Sequence, residues 1–249
     1  QKYFDAKAKM WANCLPTDVV VAPIDDVNIC AIARASAARV VTFGAGGGDY
    51  RVVKNDLFGP LGSIMSISRM KRSLPHDVTN ALAAAAVCIE GGLASAEHVA
   101  HALEHFENAP HRIQFVAEID GVRWYNDSKA TSPHAASVAL RAFDSIVLIA
   151  GGKNKGLDLS QMACEPHRMR AVVAIGAAAD DIAQAFSGVC TVEKADSMSA
   201  AVAHARQLSR TGDVVVLSPG CTSYDWYSNY GERGEDFMNC VRELSGNHR

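Results

Sequence analysis

Residues 127–132 read Asp-Ser-Lys-Ala-Thr-Ser (DSKATS), and they follow two short extended runs that meet at Asp120-Gly121. Asp-Gly between runs of alternating apolar residues predicts a β-hairpin, so DSKATS begins where a strand ends. Ser132 can then cap a helix whose first residue is Pro133. A carboxylate, an ammonium and hydroxyls at such a junction suit an anionic ligand, although an ordinary capped turn also accounts for them.

Extended apolar runs alternate with helical runs from residue 111 onward. The predicted strands are 112–119, 122–126, 145–150, 171–175, 190–192 and 213–217. The predicted helices are 135–142, 179–185, 198–209 and 230–244. This order predicts a doubly wound α/β domain, in which ligands bind at the carboxyl ends of the strands. Lys129, the glycine-rich loop 151–156 and residues 218–223 all follow strands, so we expect them to meet at one edge of the sheet.

The first 108 residues also alternate strand and helix, which is typical of part of an α/β domain. The predicted strands are 18–23 and 39–43, and the predicted helices are 28–37, 81–90 and 95–106. Residues 44–75 are expected to be a glycine-rich loop with short extended pieces at 50–53 and 62–67. Within that loop the basic run Arg69–Arg72 is expected to lie in solvent, and Asp77 is expected to cap the next helix.

Three histidines, His98, His101 and His105, fall on one face of the predicted helix 95–106. Such a face can bind a metal ion, but no acidic or cysteine ligands accompany it, which favours a surface histidine face. The seven cysteines of the chain are scattered without a Cys-x-x-Cys pair. This spacing predicts reduced thiols in a cytoplasmic protein.

The composition is that of a folded globular protein, with 49% hydrophobic and 20% charged residues among 249. The net charge of −3 argues against a nucleic-acid partner. No apolar run reaches the length of a membrane-spanning helix, and no signal peptide is visible. We therefore expect a cytoplasmic monomer with no nucleic-acid and no membrane partner.

Three motifs carry a resemblance to a known family. They are residues 127–132 (DSKATS), residues 109–112 (APHR), and the C-terminal pair of residues 217–225 (LSPGCTSYD) and 229–235 (NYGERGE). In this order they resemble the D-glutamate-adding ligases of the Mur ligase family. The resemblance implies that residues 1–108 are the C-terminal part of an ATP-binding α/β domain. Residues 109–249 would then be the Rossmann-like, amino-acid-binding C-terminal domain.

The resemblance implies ATP-dependent amide formation in the synthesis of a peptidoglycan precursor. ATP would phosphorylate the carboxylate of UDP-N-acetylmuramoyl-L-alanine, and the amine of D-glutamate would attack the acyl phosphate. Mg²⁺ would assist. The pattern G-x-x-x-x-G-K-[ST] of a phosphate-binding loop does not occur in these residues. We therefore expect that this chain, without that loop and the family's N-terminal domain, does not ligate by itself.

The resemblance also implies roles for individual residues. The catalytic pair is Lys129 and His111. The nucleotide-binding residues are Asn80, Arg112 and Asp127. The D-glutamate-binding residues are Thr131, Lys155, Ser223 and Tyr230. Lys7, on a predicted helix 3–13, would be carbamylated and hold the metal, although a solvated lysine is the commoner case. Asp77 and Pro75 depart from the family pattern around Asn80.

Two other functions remain open at this point. One is a different amide ligase of the same superfamily, such as a folylpolyglutamate-synthetase-like enzyme. The other is a binding module that contacts ligands without catalysis. The DSKATS motif argues against the first, whereas the missing phosphate-binding loop favours the second for this chain.

Overall fold

The computed structural model describes residues 6–246, and the chain divides into two compact units, Gln1–Glu107 and Asn108–Arg249. We call them unit 1 and unit 2. Tyr3 and the start of the helix predicted for 3–13 lie outside the described residues. Residues 6–8 are helical and lead into the 3₁₀ turn Lys9–Trp11. Within the described residues no helix is long and apolar enough to cross a membrane.

Unit 1 begins with a β-α-β element, as predicted. Its parts are β1 (Val19–Pro23), α1 (Val27–Ala35) and β2 (Arg39–Phe43). The two strands pair in parallel, and the side chain of Asp26 caps the helix by accepting from the Ile29 N–H. Parallel pairing requires a crossover such as this helix.

A three-stranded antiparallel sheet follows in unit 1. Its strands are β3 (Arg51–Val53), β4 (Asp56–Gly59) and β5 (Gly62–Ser66). The outer two strands match the predicted extended pieces, but β4 was expected to be loop, and that prediction was wrong. The turn before β4 uses Lys54 in a left-handed conformation, and Leu57 is fully buried. This four-residue segment is a strand because its tertiary contacts bury Leu57, which its local sequence does not reveal.

The helices of unit 1 are α2 (Pro75–Glu90) and α3 (Ala96–His105). The prediction that Asp77 is the N-cap of α2 was wrong, because the helix starts earlier, with Pro75 at its first position. Asp77 lies at the third position, where its Oδ2 accepts from the Leu74 N–H at 3.1 Å.

The basic run before α2 is solvated only in part. Arg72 donates two hydrogen bonds of 2.7 Å to buried Asp77, from Nε to Oδ2 and from Nη2 to Oδ1. The expectation of a solvated run was therefore wrong for Arg72, whose side chain is 20% exposed. Arg69 is half exposed and pairs with Glu104.

Unit 2 contains one six-stranded sheet. The strands are β6 (Gln114–Ile119), β7 (Val122–Asn126), β8 (Ile146–Gly151), β9 (Met169–Ile175), β10 (Thr191–Ala195) and β11 (Val214–Gly220). The helices are α4 (Pro133–Ala142), α5 (Ala179–Ala185), α6 (Met198–Leu208) and α7 (Tyr230–Gly246). Besides Lys9–Trp11, the described residues form the 3₁₀ turns Ile67–Arg69 in unit 1, and Leu159–Ala163 and Pro166–Arg168 in unit 2.

The strand order in this sheet is β10-β9-β8-β11-β7-β6, and every pairing except that of β6 with β7 is parallel. The chain winds outward from β8 to β10 and then returns to insert β11 between β8 and β7. The reversal at β8 and β11 is the switch point where doubly wound folds open a ligand crevice. The predicted doubly wound α/β class is confirmed.

The hairpin and helix start predicted around DSKATS are both present. Asp120 and Gly121 have φ of 51° and 75°, the positive values that a tight hairpin turn requires. The side-chain oxygen of Ser132 accepts from the Ala135 N–H, and Pro133 opens α4.

The centre of the unit 2 sheet is buried on both faces. The apolar side chains of β8, β9 and β11 pack with Trp124 of β7 and with Met198 and Phe237 of the flanking helices. Continuous burial of this kind explains why these strands read as uninterrupted apolar runs rather than alternating ones.

Candidate active site at the carboxyl edge of the unit 2 sheet

The DSKATS loop is held by its first residue. Asp127 is 6% exposed. Its Oδ1 accepts from the Ile113 N–H at 3.2 Å, and its Oδ2 accepts from the Ser218 hydroxyl at 2.7 Å. The Gly220 N–H donates to the Ala130 carbonyl at 2.9 Å. The carboxylate therefore joins the end of β7 to the end of β11.

His111 lies beside this loop with its backbone in the left-handed region, at φ 61°. Its N–H donates to Gln114 Oε1 at 3.0 Å, and its carbonyl accepts from the Lys129 N–H at 3.1 Å. Its Nδ1 lies 2.9 Å from the amide nitrogen of Asn126. The two residues assigned to catalysis by resemblance are thus joined directly through the backbone.

Arg233, on α7, is a buried cation that the sequence reasoning missed. It is 1% exposed and donates from Nε to the Ser128 hydroxyl at 3.0 Å. Its Nη2 donates to the carbonyls of Ser128 at 2.9 Å and Cys221 at 3.1 Å. Burial lowers the pKa of Arg233 to about 10. The one indication in the sequence that Arg233 belongs to the site is its position within the NYGERGE motif.

The glycine-rich loop after β8 joins the same edge. Lys153 and Thr222 exchange two backbone hydrogen bonds of 2.8 and 3.1 Å, and the Thr222 hydroxyl donates to the Lys153 carbonyl. Gly152 has φ of 122°, and a Cβ there would lie 2.3 Å from the Thr222 carbonyl oxygen. Only glycine permits this approach. The predicted meeting of the three strand-end segments is confirmed.

Tyr230 begins α7 and packs over the loop. Its carbonyl accepts from the Ser128 hydroxyl at 2.7 Å. The centre of its ring lies 5.5 Å from Lys129 Nζ and 6.0 Å from the imidazole of His111. The first distance is within the range of a cation–π contact.

The remaining amino-acid-site candidates of unit 2 differ in exposure. Ser223 is 2% exposed, and its carbonyl accepts from the N–H groups of Trp226 and Tyr227. Thr131 is half-buried, and Lys155 is exposed on its loop. Thr131 and Ser223 therefore lie close to the buried framework, whereas Lys155 presents its side chain to solvent.

The other assigned residues are exposed. Asn80 lies on α2 and Lys7 on the helical turn 6–8, both in unit 1, while Arg112 precedes β6 in unit 2. Across residues 6–246 no three or more histidine, cysteine or acidic side chains converge as metal ligands. The three histidines of α3 are exposed, and the rings of His101 and His105 lie with their centres 4.5 Å apart.

The edge as a whole gathers positive charge and hydrogen-bond donors. Lys129, Lys155 and Arg233 come from three separate segments, and the hydroxyls of Thr131 and Ser223 lie in the same two strand-end loops. Such a set suits an anionic substrate whose charge must be held and neutralised.

Comparison with known proteins shows which family this sequence and fold resemble. The sequence pattern described as "Mur ligase, glutamate ligase domain" matches residues 111–221. The UDP-N-acetylmuramoylalanine--D-glutamate ligase of Myxococcus xanthus is 37% identical over 255 residues, which cover 97% of this chain and 56% of that protein. The enzyme of the same name from Frankia casuarinae is 38% identical, covering 98% and 54%. The chain spans about half the length of these curated relatives.

Solved structures agree on the fold. The MurF ligase of Thermotoga maritima in complex with ADP superposes with a TM-score of 0.67 at 15% identity, covering 98% of this chain and 58% of that one. MurC of the same organism gives 0.64 at 16% identity, covering 98% and 55%. The sequence motifs, the doubly wound sheet and these relatives agree. The chain therefore belongs to the Mur ligase family, with the glutamate ligase domain of that family at residues 111–221.

Proposed function

We propose that this chain is the part of an ATP-dependent ligase that adds D-glutamate to UDP-N-acetylmuramoyl-L-alanine. The observation that carries the proposal is the direct link between Lys129 and His111 at the strand-end loop, in a chain whose relatives are named for this reaction. Residues 109–249 would be the amino-acid-binding domain, and residues 1–108 the end of the ATP-binding domain.

Lys129 and His111 are proposed to hold the transferring phosphoryl group and the acyl phosphate. Amide formation through an acyl phosphate depends on positioning and on neutralising negative charge. The Lys129 ammonium supplies charge, and the imidazole of His111 supplies a fixed hydrogen-bonding atom beside it. The hydrogen bond from the Lys129 N–H to the His111 carbonyl holds the two residues next to each other.

Asn80, Arg112 and Asp127 are proposed to contact ATP. Asn80 offers an exposed amide for the adenine, and Arg112 offers an exposed guanidinium. Asp127 has a structural task as well, since its two oxygens join Ile113 and Ser218. A carboxylate can accept up to about four hydrogen bonds, so the two tasks are compatible.

Thr131, Lys155, Ser223 and Tyr230 are proposed to bind D-glutamate. Its two carboxylates need separated anion sites, because like charges in one pocket repel. Lys155 and Thr131 would hold one carboxylate. Ser223 and the backbone that enters α7 at Tyr230 would hold the other, at a helix N-terminus that favours anions.

Magnesium is assigned to the whole protein by resemblance, with a carbamate on Lys7 as a ligand. The described residues do not assemble a metal-binding cluster by themselves. We further propose a cytoplasmic, monomeric protein, since cytoplasm is where nucleotide-linked precursors and ATP are found together.

A folylpolyglutamate-synthetase-like activity is the second candidate. E. coli FolC shares the fold with a TM-score of 0.58 at 18% identity, which carries no information on substrate. The relatives at 37–38% identity are named for D-glutamate addition instead. The third candidate, a binding module, predicts ligand contact without turnover.

The test is an ADP-release assay on the intact protein that contains this chain, with each substrate omitted in turn. We expect release only when UDP-N-acetylmuramoyl-L-alanine and D-glutamate are both present. Lys129→Ala should lower turnover by roughly 10²-fold or more, because a charge aimed at the transition state is lost. Lys153→Ala is the control, since its backbone rather than its side chain joins the site. Turnover with a folate substrate, or equal losses in both variants, would contradict the proposal.

A further inference from the structure

The amide group of Asn126 has only one possible orientation. Its Oδ1 accepts from the Ser128 N–H at 3.0 Å, and a backbone N–H can only donate. The Nδ2 group therefore lies on the other side, 2.9 Å from His111 Nδ1 and 3.4 Å from the Gly234 carbonyl. Asn126 is fully buried, so solvent offers it no alternative partner.

This orientation determines which nitrogen of His111 carries the proton. An amide NH₂ has hydrogens and no acceptor, so His111 Nδ1 must accept from Asn126. A neutral imidazole that accepts at Nδ1 carries its hydrogen on Nε2. In a doubly protonated ring, the Nδ1–H of His111 and the Nδ2–H of Asn126 would both be donors, 2.9 Å apart and without an acceptor between them.

We propose that Asn126 is a positioning residue that holds His111 as the neutral tautomer with its proton on Nε2. Other contacts also hold His111 in place. The His111 backbone is tied to Gln114 and Lys129, and the ring lies against Gly234 of α7, where a Cβ would approach Nδ1 to 2.3 Å.

The Nε2 atom lies on the part of the ring that Asn126 does not contact. The charged group facing Nε2 is Glu235, whose Oε1 is 3.9 Å away, too far for a hydrogen bond, and whose side chain is 58% exposed. The Tyr230 ring lies roughly perpendicular to the imidazole with the ring centres 6.0 Å apart, and the Lys129 ammonium lies 5.5 Å from the centre of that tyrosine ring. His111 can therefore donate from Nε2 to an anionic ligand oxygen next to Lys129.

The consequence for catalysis rests on the proposed function. There the neutral ring would act as a hydrogen-bond donor to a phosphoryl oxygen and not as a base, since Nδ1 is already engaged and Nε2 is protonated. A donor held in place before the reaction needs no reorganisation when charge develops.

Nitrogen NMR of the 249-residue chain tests the tautomer directly. A long-range ¹H–¹⁵N spectrum at neutral pH, with the His111 signals identified by their loss in His111→Gln, should show Nδ1 unprotonated and Nε2 protonated. Protonated Nδ1 in the unaltered chain would overturn the inference without any variant being needed.

Asn126→Asp supplies the second test. The carboxylate can still accept from the Ser128 N–H, but it accepts where the amide donated, so Nδ1 should become protonated. Asn239→Asp adds the same charge at an exposed position on α7 and should leave the His111 signals unchanged. An unchanged tautomer in folded Asn126→Asp would overturn the inference.

Kinetics of the intact protein separate this inference from the proposed function. Asn126→Asp should lower ligase turnover by roughly 10²-fold, the effect of misplacing one donor, with the KM for D-glutamate little changed. The NMR spectrum reports the tautomer whether or not the protein is an active ligase. If the spectrum is as expected but the intact protein has no ligase activity, the proposed function is wrong and the inference about Asn126 stands.

Discussion

Replacement of Gly234 by alanine should damage the site by displacing His111. Gly234 lies within α7, where alanine is favoured over glycine by about 1 kcal/mol. Against that gain, the new Cβ would stand 2.3 Å from His111 Nδ1 and 3.0 Å from Asn126 Nδ2. The ring must retreat by about 1 Å to reach ordinary contact, and it then loses its bond to Asn126.

The magnitude follows from these contacts. Overpacking a buried site costs about 1–3 kcal/mol, and leaving a buried amide without its acceptor costs about 1–3 kcal/mol more. After the helix gain of about 1 kcal/mol is subtracted, we expect a loss of roughly 1–5 kcal/mol, centred near 3 kcal/mol. For a unit of this size the loss lowers the midpoint of thermal unfolding by about 3–20 °C.

Urea unfolding followed by tryptophan fluorescence measures this loss. A Trp11→Phe background leaves Trp124 and Trp226, which both belong to unit 2. Gly231→Ala is the matched control, because it lies on the same helix and its Cβ meets the movable end of Asn229 at 2.9 Å. We expect the control to change stability by about 1 kcal/mol or less. Equal stability of the two alanine variants would refute the reasoning.

Three further predictions concern charge and thiol chemistry. In the intact protein, Lys155→Ala should raise the KM for D-glutamate about tenfold and leave that for ATP unchanged, as steady-state kinetics can show. Asp213→Ala should lower the free energy of unfolding by about 1–3 kcal/mol, because Asp213 is 2% exposed, pairs with partly buried Arg170 and accepts from the Ser145 hydroxyl. Exposed Asp196→Ala should have little effect in the same urea titration. Burial raises the pKa of Cys221 to about 11, so at pH 8 roughly one molecule in a thousand carries its reactive thiolate. Mass spectrometry after iodoacetamide should find exposed Cys164 alkylated first, and Cys221 should react faster only as the pH rises towards 11.

The sequence predicted those features that local chemistry decides. The Asp120-Gly121 turn, the Ser132 cap and the apolar strands of unit 2 follow from turn residues, capping groups and burial patterns within a few positions of one another. Arg233 could not be placed in this way. Its partners Ser128 and Cys221 lie 105 and 12 positions away, and no local periodicity reports such contacts.

Errors in unit 1 have the same origin. Residues 56–59 form a strand because Leu57 is buried in the core of unit 1. Asp77 is the third residue of its helix and not the N-cap, because the helix begins at Pro75, a residue that is well tolerated in the first turn. The residues assigned to contact ATP and D-glutamate remain a prediction that rests on the family resemblance. The fold of these segments does not by itself show where those ligands bind.

The hydrogen bonds that build the site also set the time at which it forms during folding. They join residues 91, 105 and 108 positions apart along the chain. The entropy cost of closing such long loops must be met before these hydrogen bonds can stabilise the structure. We therefore expect these hydrogen bonds to be absent from the folding transition state. Substitutions at the α7 contacts should then leave the refolding rate nearly unchanged and accelerate unfolding instead. The carboxyl edge of the unit 2 sheet would be the last part of that unit to assemble and the first to open.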